Sequence, residues 1–132
     1  MTMGDFVQHL LLFLHRDEEN LRLHEMEHWH KLFYQLHKLP PEPGRPPFLD
    51  KLFFAWNGPY PSCDDVAEYL RRLHLLGFIV CDSPGYRKYW LPEKTVQSWQ
   101  REHDRLGARE REFLSKAALM AKRELNPIVV SA

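Results

Sequence analysis

Hydrophobic residues recur at helical spacing in the first third of the chain. The first stretch of this kind contains Phe6, Leu10, Leu11, Phe13 and Leu14. The polar run at residues 16–20 follows it and predicts the end of a first helix that starts near Asp5. A second hydrophobic stripe predicts a helix over residues 22–38, which ends before Pro40 because the residue before a proline is disfavoured in the α region.

Five prolines lie between Pro40 and Pro47, in a stretch without residues suited to a hydrophobic core. We expect this stretch to be an extended connector between the N-terminal helices and the rest of the chain. Beyond it, hydrophobic positions at helical spacing predict a short helix that ends at Asn57-Gly58-Pro59. These positions are Leu49, Leu52, Phe53 and Trp56.

The stretch from Ser62 to Leu76 has the pattern of an amphipathic helix. Ser62 is a suitable N-cap, and two aspartates fall in the first turn, where the helix dipole favours negative charge. The expected buried positions are Val66, Leu70 and Leu73. Two β-rich runs at residues 78–81 and 86–91 flank a turn sequence at residues 82–85, and together they predict an antiparallel hairpin.

A long final helix is predicted from Glu93 to about Leu125. Some of its positions follow alternating steps of three and four residues, which is the spacing of a coiled-coil seam. As a dimer interface, this seam would consist of Trp99, Leu106, Phe113 and Met120. His103 and Glu110 interrupt the seam, so the alternative is a helix that lies across its own domain with Trp99 and Phe113 in the core.

Helix, turn, helix and hairpin, in this order, are the elements of a winged helix. We therefore expect a mostly α fold, a winged-helix-like domain with a two-stranded β-hairpin wing and added N- and C-terminal helices. A chain of 132 residues holds one domain. Its expected parts are N-terminal helices at 1–39, the proline-rich connector at 40–47, the helix-turn-helix and wing at 48–91, and the C-terminal helix at 92–132.

Three short motifs within residues 28–91 resemble a known family. They are Lys31-Leu32-Phe33-Tyr34 on a predicted helix, Asn57-Gly58-Pro59-Tyr60-Pro61-Ser62 in a turn, and Tyr69-Leu70 together with Leu76-Gly77-Phe78-Ile79. In these motifs the chain resembles the small bacterial winged-helix-like proteins of the YwgA and SocA (Panacea) kind. The resemblance implies regulation, or antitoxin-like binding of a partner, without catalysis.

Eighteen basic and eighteen acidic residues give a formal net charge of zero. Proteins that bind nucleic acid by bulk charge are strongly basic, so any DNA contact has to be local. The basic and aromatic residues near the predicted wing are candidates for such contacts: Arg71, Arg72, Tyr86, Arg87 and Lys88. Asp64, Asp65 and Glu68 oppose insertion of the Ser62–Leu76 helix into the major groove, and the alternative is a solvated surface whose arginines pair with acids.

His24-Glu25-Met26-Glu27-His28 matches the H-E-x-x-H pattern, in which two histidines on one helical face bind zinc and the glutamate is a general base. A zinc site also needs a third protein ligand. The extended form of the motif does not supply it, since Tyr34 stands where a third histidine belongs. We therefore expect no metal and no other cofactor. The chain also has neither a nucleophile elbow nor a glycine-rich phosphate loop, which favours a protein without enzymatic activity.

The cysteines and the N-terminus concern the cell compartment. Cys63 and Cys81 do not form a C-x-x-C pair, and the N-terminus lacks the basic region of a signal peptide. The longest apolar run, residues 10–14, is far too short to span a bilayer. We expect a cytoplasmic protein with reduced thiols and no membrane segment.

These observations favour a non-enzymatic winged-helix regulatory module that binds DNA as a homodimeric transcriptional regulator. The first alternative is a protein-interaction module of the antitoxin or phage-adaptor type, and the second is a minimal zinc hydrolase. A DNA-binding protein would have a positive surface across the Ser62–Leu76 helix and the wing, whereas an interaction module would have exposed aromatic residues and a neutral face. Bound zinc would indicate the hydrolase.

Overall fold

The computed structural model describes residues 1–17, 26–76, 80–81 and 89–125. Its helices are α1 (Met3–Asp17), α2 (Met26–Lys38), the 3₁₀ helix η1 (Pro47–Lys51), α3 (Asp64–Leu75), α4 (Glu93–His103) and α5 (Ala108–Leu125). Two short strands, β1 (Val80–Cys81) and β2 (Tyr89–Trp90), lie between α3 and α4. Within these ranges no helix has the length and apolar character needed to cross a membrane.

The N-terminus of α1 is closed by a reciprocal capping pair. The backbone N–H of Asp5 donates to Oγ1 of Thr2 at 3.1 Å, and the N–H of Thr2 donates to the Asp5 carboxylate at 3.2 Å. Such a capping box satisfies donors that the first helical turn leaves without intrahelical partners. The predicted first helix is confirmed, and it begins at Met3, two residues before the predicted start.

The hydrophobic core lies where α5 packs against both α1 and α2. The buried face of α5 consists of Phe113, Leu114, Ala117, Ala118 and Ala121. Its three alanines let the neighbouring helices approach closely, because the distance between packed helices depends on the side chains at the contact. Phe6 of α1 lies in this core, and its ring centroid is 6.0 Å from Phe33, 5.5 Å from Phe48 and 6.2 Å from Phe113.

The predicted helix from Ser62 is confirmed as α3. Its buried side chains are Val66, Leu70 and Leu73, as the spacing predicts. This face packs against α2. The Tyr69 hydroxyl connects α3 to α1, because it donates to the Gly4 carbonyl at 3.3 Å and accepts from the Gln8 amide at 3.2 Å.

The prediction of a winged helix is wrong. Between α2 and α3 the chain contains only the five-residue 3₁₀ helix η1, which begins at the Pro46-Pro47 pair, so the predicted first helix of the helix-turn-helix is absent there. The helix against which α3 packs is α2. In the described residues, β1 and β2 pair antiparallel over two residue pairs only, and no wing is seen. The predicted hairpin turn at residues 82–85 lies outside the described residues.

The proline-rich connector lies against the start of α5. Gly44 has a φ of +84°, and a Cβ atom there would overlap the carbonyl oxygen of Arg109. Glycine alone meets both conditions, since it tolerates positive φ and has no Cβ. On the next turns of α5, the Lys116 ammonium donates to the Glu42 carboxylate at 2.8 Å. The connector therefore packs against α5 and does not simply join two parts of the chain.

The predicted single C-terminal helix is two helices in the structure. α4 ends at His103 and α5 begins at Ala108. The Arg111 side chain of α5 donates to the carbonyl of His103 at 2.9 Å and to that of Leu106 at 3.2 Å. One of these carbonyls lies at the end of α4 and the other in the break, so Arg111 fixes the start of α5 to the end of α4.

The break between α4 and α5 also changes the role of the predicted dimer seam. Trp99 and Phe113 are buried inside this chain. Leu106 and Met120 are half-buried and pack against the same core. The structure thus has the internal packing that was the alternative, and a dimer seam through these four residues is not supported.

Candidate interaction surface

Two large aromatic side chains are exposed on the segment between η1 and α3. Phe53 is 78% exposed and Trp56 is 61% exposed. The Tyr34 ring of α2 makes edge-on contacts with two rings of this segment. The centroid distances are 5.3 Å to Phe54 and 5.5 Å to Trp56. Such contacts fix the orientation of the rings. We call Tyr34, Phe53, Phe54 and Trp56 the aromatic surface.

The predicted short helix does not reach Phe53 and Trp56, because η1 ends at Lys51. The chain leaves η1 at Leu52, which has extended backbone angles of φ −72° and ψ 136°. In an extended chain successive side chains point to opposite sides. Leu52 is therefore buried with Leu49, whereas Phe53 points outward.

Backbone hydrogen bonds close the loop that carries Trp56. The N–H of Ala55 donates to the carbonyl of Ser62, and the N–H of Ser62 donates to the carbonyl of Ala55, both at 2.9 Å. The Ser62 hydroxyl also donates to the Ala55 carbonyl at 3.4 Å. We call residues 53–63 the docking loop, and this bridge fixes its base.

His30 of α2 holds the C-terminal end of the docking loop. Its Nδ1 accepts a hydrogen bond from the N–H of Cys63 at 2.8 Å, and its ring centroid is 5.6 Å from that of Tyr60. Burial lowers the pKa of His30 below its ordinary value, and the Asp64 carboxylate opposes this shift. The fold therefore favours the neutral ring.

A cleft of about 200 Å³ lies beside the aromatic surface, at the start of α3. Its lining residues are Phe53, Ala55, Ser62, Cys63, Asp64 and Asp65. Burial raises the pKa of the Cys63 thiol. Because the thiolate is the nucleophilic form, this cysteine is poorly suited to attack a substrate. The two aspartates are exposed, so the cleft combines an apolar wall with an acidic rim.

The predicted nucleic-acid contacts on α3 are paired with a carboxylate. Arg71 lies 2.6 Å from Glu68, and Arg72 lies 3.3 Å from the same side chain. These contacts lower the pKa of Glu68, chiefly through the hydrogen bond from Arg71. In sequence, α3 has three carboxylates and two arginines, so its exposed face is not basic. Tyr86, Arg87 and Lys88 lie outside the described residues.

The H-E-x-x-H motif is only partly described. Nδ1 of His28 lies 3.2 Å from the Glu124 carboxylate, to which Gln35 also donates at 3.3 Å. His24 and Glu25 lie outside the described ranges. Among the residues that the structure does describe, no group of three or more His, Cys, Asp and Glu side chains could hold a metal ion. The expectation that the protein binds no zinc stays a prediction.

Comparisons with models of known protein families, with curated proteins and with solved structures find no match to this chain. The resemblance of the motifs in residues 28–91 to proteins of the YwgA and SocA kind therefore stays a prediction.

Proposed function

We propose that this protein is a non-enzymatic interaction module that binds a segment of a partner protein at the aromatic surface. The observation that carries the proposal is the exposure of Phe53 and Trp56, at 78% and 61%, on a loop whose base is closed by backbone hydrogen bonds. Tryptophan and tyrosine are enriched among the residues that dominate binding energy at protein interfaces. A loop fixed before binding also loses little conformational freedom in the complex.

The exposed area is large enough to anchor a partner. An aromatic side chain has about 150–250 Å² of surface, so Phe53 and Trp56 together leave roughly 300 Å² of apolar area in water. The largest apolar patch of a typical monomer is about 300–600 Å² and often functional. Covering roughly 300 Å² would contribute about 7 kcal/mol before the costs of association. That contribution suits a short anchoring segment.

The charges beside the surface indicate the chemistry of the partner. Phe53 also lines the cleft with Asp64 and Asp65, and none of the described residues that line it is basic. A lysine or arginine could lay its aliphatic part on Phe53 and place its cation beside these carboxylates. We therefore expect a partner segment in which a basic residue lies next to an aromatic or aliphatic one.

DNA binding has weaker support. Arg71 and Arg72 both pair with Glu68, and two further carboxylates precede them in the first turn of α3. A helix of this charge would meet the phosphates of a groove with net repulsion. DNA binding, whether through α3 or through Arg87 and Lys88, stays a prediction and is one outcome of the experiment below.

The proposal is tested with a phage library of random peptides of about twelve residues, selected against the purified full chain. We expect the enriched peptides to combine a lysine or arginine with an adjacent apolar residue. Synthetic copies should bind Phe53→Ser and Trp56→Ser about tenfold more weakly, because both side chains belong to the anchor. An Asp64→Asn variant should weaken binding less and reduce its dependence on salt.

Leu119→Ser is the matched control. Leu119 is 57% exposed on α5, so its replacement removes a comparable apolar side chain outside the aromatic surface. Peptide affinity should be unchanged within about twofold, since exposed substitutions of this kind act locally. The proposal is wrong if no peptide is enriched, or if the enriched peptides bind Phe53→Ser and Trp56→Ser as well as the wild type. Salt-dependent binding of a random DNA duplex that Arg71→Ala abolishes would instead support the regulator.

A further inference from the structure

His30 of α2 makes two contacts with the docking loop, one with Tyr60 and one with Cys63. Its Nδ1 accepts the hydrogen bond from the N–H of Cys63 at 2.8 Å, and its ring lies against that of Tyr60. His30 is 5% exposed and Cys63 is 1% exposed. The bond is therefore shielded from water, which could otherwise replace it.

The bond to Cys63 requires one form of the histidine ring. A backbone N–H only donates, so Nδ1 of His30 has no proton and the neutral ring carries its proton on Nε2. An imidazolium would direct a second N–H at the N–H of Cys63, which would leave two buried donors without an acceptor. It would also place a positive charge at the N-terminus of α3, where the helix dipole disfavours cations.

The titratable groups that face His30 do not remove this conflict. They are the Tyr60 phenol from the docking loop and the Asp64 carboxylate from α3, and Cys63 contacts the ring through its backbone N–H. Asp64 favours the imidazolium, but burial outweighs it and keeps the pKa of His30 below its ordinary value. The neutral ring and its bond to Cys63 thus persist at neutral pH.

We propose that neutral His30 is a positioning residue for the aromatic surface, and that its protonation releases residues 60–63 and weakens partner binding. The part that concerns partner binding rests on the proposed function. The release of the loop does not, because it follows from the contacts of His30 alone.

The experiment follows the loop by NMR in the full-length protein without any partner. The chemical shifts of the His30 ring and of the Cys63 amide are recorded between about pH 7.5 and pH 4.5. We expect the Cys63 amide to lose its hydrogen-bonded shift with the same midpoint as the His30 ring, because both report the same proton. The acrylamide quenching of Trp56 fluorescence should change with the same midpoint, and comparison with Trp56→Phe identifies the contribution of this tryptophan.

Two substitutions separate positioning from general stability. His30→Asn keeps an acceptor near the position of Nδ1 and does not titrate, so its Cys63 amide should stay hydrogen-bonded without the inflection. His30→Leu removes the acceptor, and its Cys63 amide should have the acidic shift at every pH. A purely structural histidine would give neither rescue by asparagine nor a shared midpoint.

A peptide from the selection above, without acidic residues or histidine, provides the binding measurement. Between about pH 7.5 and pH 4.5, wild-type affinity should fall about fivefold, the equivalent of one hydrogen bond, and that of His30→Asn by less than about twofold. A Cys63 amide that ignores the titration of His30 overturns the inference, whatever the peptide does. Loop release without any peptide binding supports the positioning role and contradicts the proposed function.

Discussion

Phe6 is a large side chain at the centre of the helical core. It is fully buried, and its ring packs against Phe33 of α2, Phe48 of η1 and Phe113 of α5. Phe6→Ala should cost about 3–5 kcal/mol through lost burial, lost ring contacts and the cavity that remains. Domains unfold with about 5–15 kcal/mol, so this variant should lose a large part of its stability.

Phe6→Leu is the measurable form of this experiment. It keeps most of the buried area and should lose about 1–2 kcal/mol, which lowers Tm by roughly 5–10 °C in a domain of this size. Urea and thermal denaturation followed by circular dichroism would give both numbers. Phe53→Leu is the control, because an exposed side chain should change stability by less than about 0.5 kcal/mol. Equal stability of the two variants would refute the packing of α1 against α2 and α5.

Gly44→Ala should lower the free energy of unfolding by more than about 2 kcal/mol because of its positive φ and the overlapping carbonyl, whereas Gly58→Ala, with open space around it, should not. Arg111→Ala should cost about 1–2 kcal/mol in urea denaturation, since the carbonyls of His103 and Leu106 each lose a hydrogen bond from this side chain. Burial lowers the pKa of His9, so the unfolded chain takes up the proton first as the pH falls. Stability should therefore be greatest above the ordinary histidine pKa of about 6.5 and decline below it, with a smaller decline in His9→Asn.

The helices that could be predicted are those whose signals are local. The end of α2 at Lys38 precedes a proline, and α3 has its three buried positions at helical spacing. Their arrangement could not be predicted in the same way. α5 packs between α1 and α2, and such contacts between distant segments leave no mark on local periodicity. The order of the elements alone was compatible with a winged helix, which the structure contradicts.

The C-terminal half of the sequence contains one sign of a helix end, although the seam spacing predicts a continuous helix. Gly107 follows Leu106, and a glycine just after a hydrophobic position is typical of a helix end. In the structure the break lies at residues 104–107, and the carbonyl of Gly107 accepts the N–H of Arg111 in the first turn of α5. Trp99 and Phe113, which are fourteen residues apart, lie in a common core across this break rather than on one helix face.

The sequence predicts exposed aromatic residues if the protein is an interaction module, but it does not predict which residues they are. The three-residue spacing of Phe53 and Trp56 is that of a helix face, and it predicts a short helix there instead. These two side chains are exposed because the backbone becomes extended at Leu52 and because the core consists of other side chains, including those of α5. The bond between His30 and Cys63 joins residues 33 positions apart, which no local pattern predicts. A chain that turns Leu49 and Leu52 inward leaves Phe53 and Trp56 exposed, and this is the apolar surface at which we propose that a partner binds.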